Sequence, residues 1–158
     1  MKKYTDLLHF GYLNKNNRIY SINSYDWTDI IQKSKNSSLY GELYHPDRFD
    51  ISLNNVSHVI RNIEVYRDGI YGEVEILKTF KGKELQILID SGIHMVFRPR
   101  SIGDIDDKGH VTIKKLFTFD AIPKSEDAFF DIKLFRYQKL QNIIKRIDDK
   151  RRNSEHNL

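Results

Sequence analysis

The clearest pattern in the chain lies near its C-terminus, where Phe130, Leu134, Tyr137, Leu140, Ile144 and Ile147 recur every three or four positions. That spacing gathers them on one face and predicts a long amphipathic helix over 127–150. A second helical period, Leu85, Leu88 and Ile89 with Gly92 as its stop, predicts a helix over 81–91. A shorter one over 26–35 carries Trp27, Ile30 and Ile31, with Asp26 placed to cap it. Elsewhere the patterning is that of strands. Residues 8–13 and 18–22 flank the polar turn Asn14-Lys15-Asn16-Asn17, and Tyr71 to Ile76 alternates as a half-buried strand does. Asp68-Gly69 is a two-residue hairpin signal between that strand and the run Val56–Val65, whose apolar period is not clean. Residues 93–98 and 111–119 read as two further strands. Strands with one helix inserted and another at the end predict an α+β domain with a barrel-like mixed or antiparallel sheet and flanking helices. The expected division is a β-barrel domain over 1–126 and a C-terminal amphipathic helix with a basic tail over 127–158.

Charge sharpens that division. The 158 residues carry a net +4, and the stretch from Asp131 onward holds eight Lys or Arg against four acidic residues, so the preceding part is neutral overall. A basic tail attracts acidic partners, nucleic acid weakly among them, but nothing interleaves aromatics with cations as a nucleic-acid reader does. The chain has no cysteine, which excludes disulfides, thiolate metal sites and a cysteine nucleophile. No apolar run approaches the ~18 residues of a membrane span, and the polar N-terminus is not that of a signal peptide. His45, His58, His94 and His110 lack metal-ligand spacing, and the glycines form no phosphate-cradling loop, so neither metal nor cofactor is expected.

Three blocks, in order, resemble the prohead protease family of large contractile-tailed phages. The first is Asn14-Lys15-Asn16-Asn17-Arg18-Ile19-Tyr20, similar to the family's Asn-x-Asn-Gly-Arg-x-Tyr-Pro. The second is Gly41-Glu42-Leu43-Tyr44-His45-Pro46, followed by Ile51-Ser52-Leu53-Asn54-Asn55-Val56-Ser57-His58. The third runs from Thr79-Phe80-Lys81-Gly82-Lys83 through Gly92 and Gly103 to Asp120 and Asp127-Ala128-Phe129. The resemblance covers roughly residues 10–130. It implies an assemblin-like fold, shared with herpesvirus capsid proteases. Active members are serine endopeptidases that cut scaffold and capsid proteins inside the immature head.

The same resemblance places the family's histidine on His45. The family's Gly-x-Ser-Ser-Arg-Gly-x-Gly stretch falls on Val96-Phe97-Arg98-Pro99-Arg100-Ser101-Ile102-Gly103, so the Ser-Ser pair falls on Arg98-Pro99 and Ser101 takes a glycine position. Arginine is always protonated and cannot attack a carbonyl. Proline has no side-chain heteroatom and no backbone N–H to offer an oxyanion. Acyl transfer needs a hydroxyl or another nucleophile within reach of a base. His45 is therefore expected as a vestigial base, Asp120 as an acid that could orient it, and Ser101 as a weak alternative nucleophile that a bulge at Pro99 would have to re-aim.

Other residues keep two readings. His58 either lines the same pocket, as herpesvirus-type sites use two histidines, or is a structural histidine. Ser57 reads as structural. Arg98 and Arg100, if exposed, offer two cationic contacts to an acidic peptide or a capsid surface. The leading expectation is a catalytically inactive relative with a structural or assembly role in a tailed-phage head, assembled in the bacterial cytoplasm. Its expected partners are capsid or scaffold proteins, with self-association open and no membrane. The alternative is an active head-maturation serine endopeptidase.

Overall fold

The computed structural model describes residues 2–129 and 143–152. By its contacts the chain divides into two units, Met1–Ala128 and Phe129–Leu158. The first holds six strands: β1 Lys2–His9, β2 Leu39–Glu42, β3 Val56–Tyr66, β4 Gly69–Ile76, β5 Met95–Ile105 and β6 Val111–Pro123. Two helices interrupt them, α1 Thr28–Lys35 and α2 Phe80–Asp90. One sheet has the order β1-β4-β3-β2 and the other is the hairpin β5-β6; every ladder is antiparallel.

The architecture is the expected α+β with antiparallel sheets. Among the described residues the strands form two separate sheets and no closed barrel; outside the ladders only isolated bridges reach β6 and the residue just before it. Leu43 pairs with Ala121, and Ile19 pairs with His110. The helix expected over 127–150 does not begin at 127: a short 3-10 turn, Lys124–Glu126, leads into a turn at 128–129. Of its stripe, Phe130, Leu134, Tyr137 and Leu140 lie outside the described residues. Residues 143–152 are helical, with Ile144 and Ile147 exposed.

Local chemistry accounts for the elements. Thr79 caps α2 by accepting from the Gly82 N–H at 3.0 Å. The Asp26 carboxylate accepts from the Thr28 N–H at 3.1 Å where α1 begins. The β3–β4 hairpin has Tyr66 facing Gly69, so Arg67 and Asp68 are its turn residues, one position earlier than the Asp68-Gly69 signal suggests. The core runs through Leu7, Ile30, Leu39, Val59, Ile60, Ile70, Leu85 and Phe119, all essentially inaccessible. Of the five ladder irregularities among the described residues, two fall at Arg61/Glu64 in β3 and Ile102/Gly103 in β5, and three fall at Asp6/Leu8 in β1, Gly41/Glu42 in β2 and Arg100/Ser101 in β5. Bulges bend a strand and re-aim its side chains, and the last three border residues of the polar site described below.

Gly41 lies where two elements cross. A Cβ at this position would overlap the His58 ring and the Phe119 carbonyl, so no side chain fits between β2 and β6. We predict that Gly41→Ala lowers stability by about 1–3 kcal/mol, the usual cost of overpacking. The measurement is the urea midpoint of the variant beside the parent; an unchanged midpoint would show that the crossing can widen freely.

Candidate functional site

The polar centre is built on the first halves of β5 and the second half of β6. Arg98 stands opposite Asp120 in the β5–β6 ladder, and directly opposed residues share a face of the sheet. The segment following β2 lies against the other edge of β6, where the Tyr44 N–H donates to the Ala121 carbonyl at 2.7 Å. His45 follows immediately and reaches Asp120.

Asp120 is inaccessible to solvent, and every acceptor position of its carboxylate is used. Oδ2 accepts from His45 Nδ1 at 2.9 Å and from Arg100 Nε at 2.8 Å. Oδ1 accepts from Arg100 Nη2 at 2.7 Å and from the Glu42 backbone N–H at 3.1 Å. The bulge at Gly41/Glu42 is what releases that N–H from the β2–β3 ladder. Burial alone would raise the Asp120 pKa; the hydrogen bonds from Arg100 and His45, with the Arg100 charge and the Glu42 N–H, overcome it and hold the carboxyl below its ordinary value. An ionised carboxylate only accepts, so His45 Nδ1 is the donor. In the neutral ring the lone pair then sits on Nε2, the nitrogen that a general base uses. The His45 side chain is 40% exposed.

Arg100 does not offer a surface contact. Its side chain is 6% exposed, and it also binds Glu42 Oε2 at 2.6 Å and the Asp50 carbonyl at 2.8 Å. Through that carbonyl it fastens the loop after His45, and Arg48 on the same loop pairs back to Glu42. The expectation of Arg100 as a cation for an acidic partner is corrected: its hydrogen-bonding capacity is spent inside the molecule.

Arg98 is likewise buried, and all five of its N–H groups are engaged. Nε and Nη2 form a fork on Asp127, at 2.9 and 2.8 Å. Nη2 also donates to Asp6 Oδ2 at 2.9 Å, and Nη1 to the carbonyls of Asp6 and Phe97 at 3.0 and 2.9 Å. His9 donates to the same Asp6 oxygen at 2.8 Å. Burial would raise the Asp6 pKa, but the His9 hydrogen bond and the Arg98 charge hold it well below the ordinary carboxylate range. Sequence reasoning missed Asp6 and His9. Asp127 appeared only as part of a matching block, with no role.

His58 is wholly buried, which corrects its reading as a pocket or partner contact. Its Nε2 donates to the Phe119 carbonyl at 2.8 Å, so Nδ1 accepts the Ser57 hydroxyl at 2.8 Å. A serine beside a histidine is a nucleophile–base pair in form. Both residues have zero exposure, so no substrate reaches them and the pair is structural. Ser101 lines a small cavity of about 210 Å³ with Arg18, Tyr20 and Val111. Neither a histidine nor a carboxylate that could act as its base borders that cavity near Ser101. Pro99 faces Phe119 in the ladder on β5, which pairs on one side only, the setting in which a sheet tolerates proline. Among the described residues, no group of three or more His, Cys, Asp or Glu is placed to hold a metal ion, and no helix is long and apolar enough to cross a membrane.

Comparison with solved structures finds the same fold in the bacteriophage T4 capsid assembly protease, gp21. The two superpose with a TM-score of 0.67 at 21% sequence identity, over 76% of this chain and 79% of that one. The prohead-protease-like fold is therefore shown. No family model and no curated protein sequence matches the chain.

Two predictions follow from these networks. Arg98→Ala removes the two-bond fork on the buried Asp127 carboxylate together with the bond to Asp6, which should cost about 3–5 kcal/mol; the urea midpoint measures it, and Arg98→Lys should restore little because an ammonium cannot form the fork. The second concerns pH. Burial lowers the His58 pKa from 6.5 to about 4, against the Phe119 hydrogen bond and the Asp120 charge. Between those values the unfolded chain binds the proton and the folded one does not, so stability rises with pH there and is fully present above 6.5. Unfolding free energy measured from pH 4 to 7 should fall by on the order of 3 kcal/mol toward acid. A flat profile would show that His58 keeps its proton in the fold.

Proposed function

We propose that this chain is a protease-fold protein without protease activity that serves a structural or assembly role in a tailed-phage head. The T4 protein of the same fold is a capsid assembly protease, which supports capsid or scaffold proteins as the partners; assembly in the host cytoplasm is part of the same proposal. The observation that carries the reading is the Arg98 clamp. The position that the family resemblance gives to the nucleophile holds a guanidinium bound to Asp6 and Asp127. Such a group cannot attack a carbonyl, and it cannot swing out for a substrate without giving up its bonds to both carboxylates. In the same reading, the basic C-terminal stretch, of which 143–152 is helical, carries the partner contact, with self-association and weak attraction to nucleic acid as its further uses.

A second reading has one observation in its favour: His45 and Asp120 keep the geometry of a base and its orienting acid at 2.9 Å. An active endopeptidase would need a relocated hydroxyl, and Ser101 is the residue sequence reasoning offers.

The test is cleavage of head proteins by the purified chain, with labelling by a serine-directed phosphonate. Neither should occur, and Ser101→Ala should behave as the parent does. Cleavage by the parent that Ser101→Ala abolishes would overturn the inactive reading. The revertant Arg98→Ser with Pro99→Ser should be tested together with Asp127→Asn, since the serine pair alone takes the guanidinium away from the buried Asp127 carboxylate.

A further inference from the structure

Helix α2 meets the large sheet through one face only. Gly82 and Leu85 are buried where it packs on β3 and β4, and a Cβ on Gly82 would overlap the Leu77 carbonyl. The opposite face carries Phe80, Lys83, Glu84 and Ile87, whose i, i+3, i+4 and i+7 spacing aligns them in one stripe. All four are exposed, Phe80 by 88% and Ile87 by 63%, and among the described residues nothing covers them. A surface helix ordinarily keeps its large apolar side chains for the buried face. Leu53, 75% exposed, adds a third such side chain on the 3-10 turn Leu53–Asn55, which packs beside α2.

The charges on α2 also run the wrong way for a helix that stands alone. Lys81 and Lys83 lie toward its N-terminus and Asp90 closes its C-terminus, with no acidic residue in the first turn and no basic one in the last. That order opposes the macrodipole, and an antiparallel neighbour with the same sequence compensates it at both ends. The exposed stripe has the matching symmetry. Two copies of α2 related by a two-fold axis between residues 83 and 84 set Phe80 against the second copy's Ile87 and Lys83 against the second copy's Glu84, each twice. A parallel pair would set Lys83 on Lys83 and Glu84 on Glu84. Lys83 has no partner among the described residues, and Glu84 holds only the exposed Lys81, at 3.1 Å.

We propose that the outer face of α2 is a two-fold interface for a second copy of this chain, antiparallel and in this register. A closed pair uses the same patch on both copies, so one self-complementary stripe suffices. Eleven residues rise only about 16 Å, too short to bury the ~1,200 Å² of a stable interface. The association is therefore weak and depends on concentration. It uses no residue of the His45–Asp120 centre, so it stands whether or not the chain is a protease.

The experiment is sedimentation equilibrium of the full chain over a concentration series. The parent should pass from monomer to dimer below about 1 mM. Ile87→Lys puts a cation where Phe80 must pack and should weaken the dimer about tenfold or more, roughly 1.4 kcal/mol. Lys83→Glu and Glu84→Lys each set like charges together twice and should each weaken it about tenfold. An equimolar mixture of those two variants sets carboxylates against ammonium groups again, and should associate within about threefold of the parent. Ile105→Glu, exposed on the far end of β5, should change nothing. Every substituted side chain is exposed, and thermal melting confirms that each variant remains folded. A parent that stays monomeric, or a dimer that the folded α2 variants leave intact, would overturn the proposal. So would a mixture that associates no better than its two components, because only the antiparallel register pairs residue 83 with residue 84.

Discussion

The pairing of Asp120 with Arg100 is the interaction on which the rest of the polar centre depends. One buried carboxylate accepts from a guanidinium on β5 and from an imidazole and a backbone N–H three residues apart at the end of β2, so two distant parts of the chain meet on it. Arg100 in turn reaches the Glu42 carboxylate and the carbonyl of Asp50. Taking one ion out of water costs several kcal/mol after relaxation, and removing a partner from such a pair leaves that cost uncompensated. The end of β2, the His45 segment and the loop to Asp50 are therefore held by one electrostatic knot. Apolar packing is non-directional and could not fix their positions so narrowly.

Arg98 forms a second knot on the same strand two residues away, and it differs in what it joins. Asp6 belongs to β1 and Asp127 follows the last turn of the first unit, so the clamp gathers the two ends of that unit onto β5. An arginine at a position where the family resemblance calls for serine could not have been accommodated alone. Its charge needs carboxylates at that depth, and the bulge at Asp6/Leu8 places one of them. Arg98, Asp6 and Asp127 act as a unit, and substitutions among them will not add.

How much of this was legible in the sequence depends on the range of the forces involved. The helices near 28–35 and 80–90, and the hairpin at 66–69, are specified by local period, caps and turn residues, and they lie within two residues of where the pattern puts them. The short strand β2 was not legible: its four residues have no period of their own, and Gly41 serves in it as a close approach to His58. The charged centre was half legible. His45 and Asp120 stand out through the family blocks, but Arg98 and Arg100 read as cations on offer because nothing local announces their partners. Asp6 lies 92 positions from Arg98, and Glu42 lies 58 from Arg100. The same distance hid His9, whose only mark in the sequence is its place three residues after an aspartate.

Whether the surviving His45–Asp120 pair speaks for catalysis turns on what Asp120 would do without it. Of the four bonds its carboxylate accepts, three come from Arg100 and the Glu42 N–H and serve the fold. Those alone require a buried aspartate at this position, and they would keep it there after any need for a base had gone. His45 then remains because the fourth acceptor position must be filled: an imidazole N–H satisfies it, while an apolar side chain would leave part of a buried charge bare. The pair is thus explained by polar satisfaction without any reacting hydroxyl. The clamp at Arg98 has no matching explanation within the protease mechanism, since an ion pair at the position that the family resemblance gives to the nucleophile leaves no hydroxyl there for acyl transfer. Where two features of one site point in different directions, the one that only a single reading can accommodate carries the greater weight.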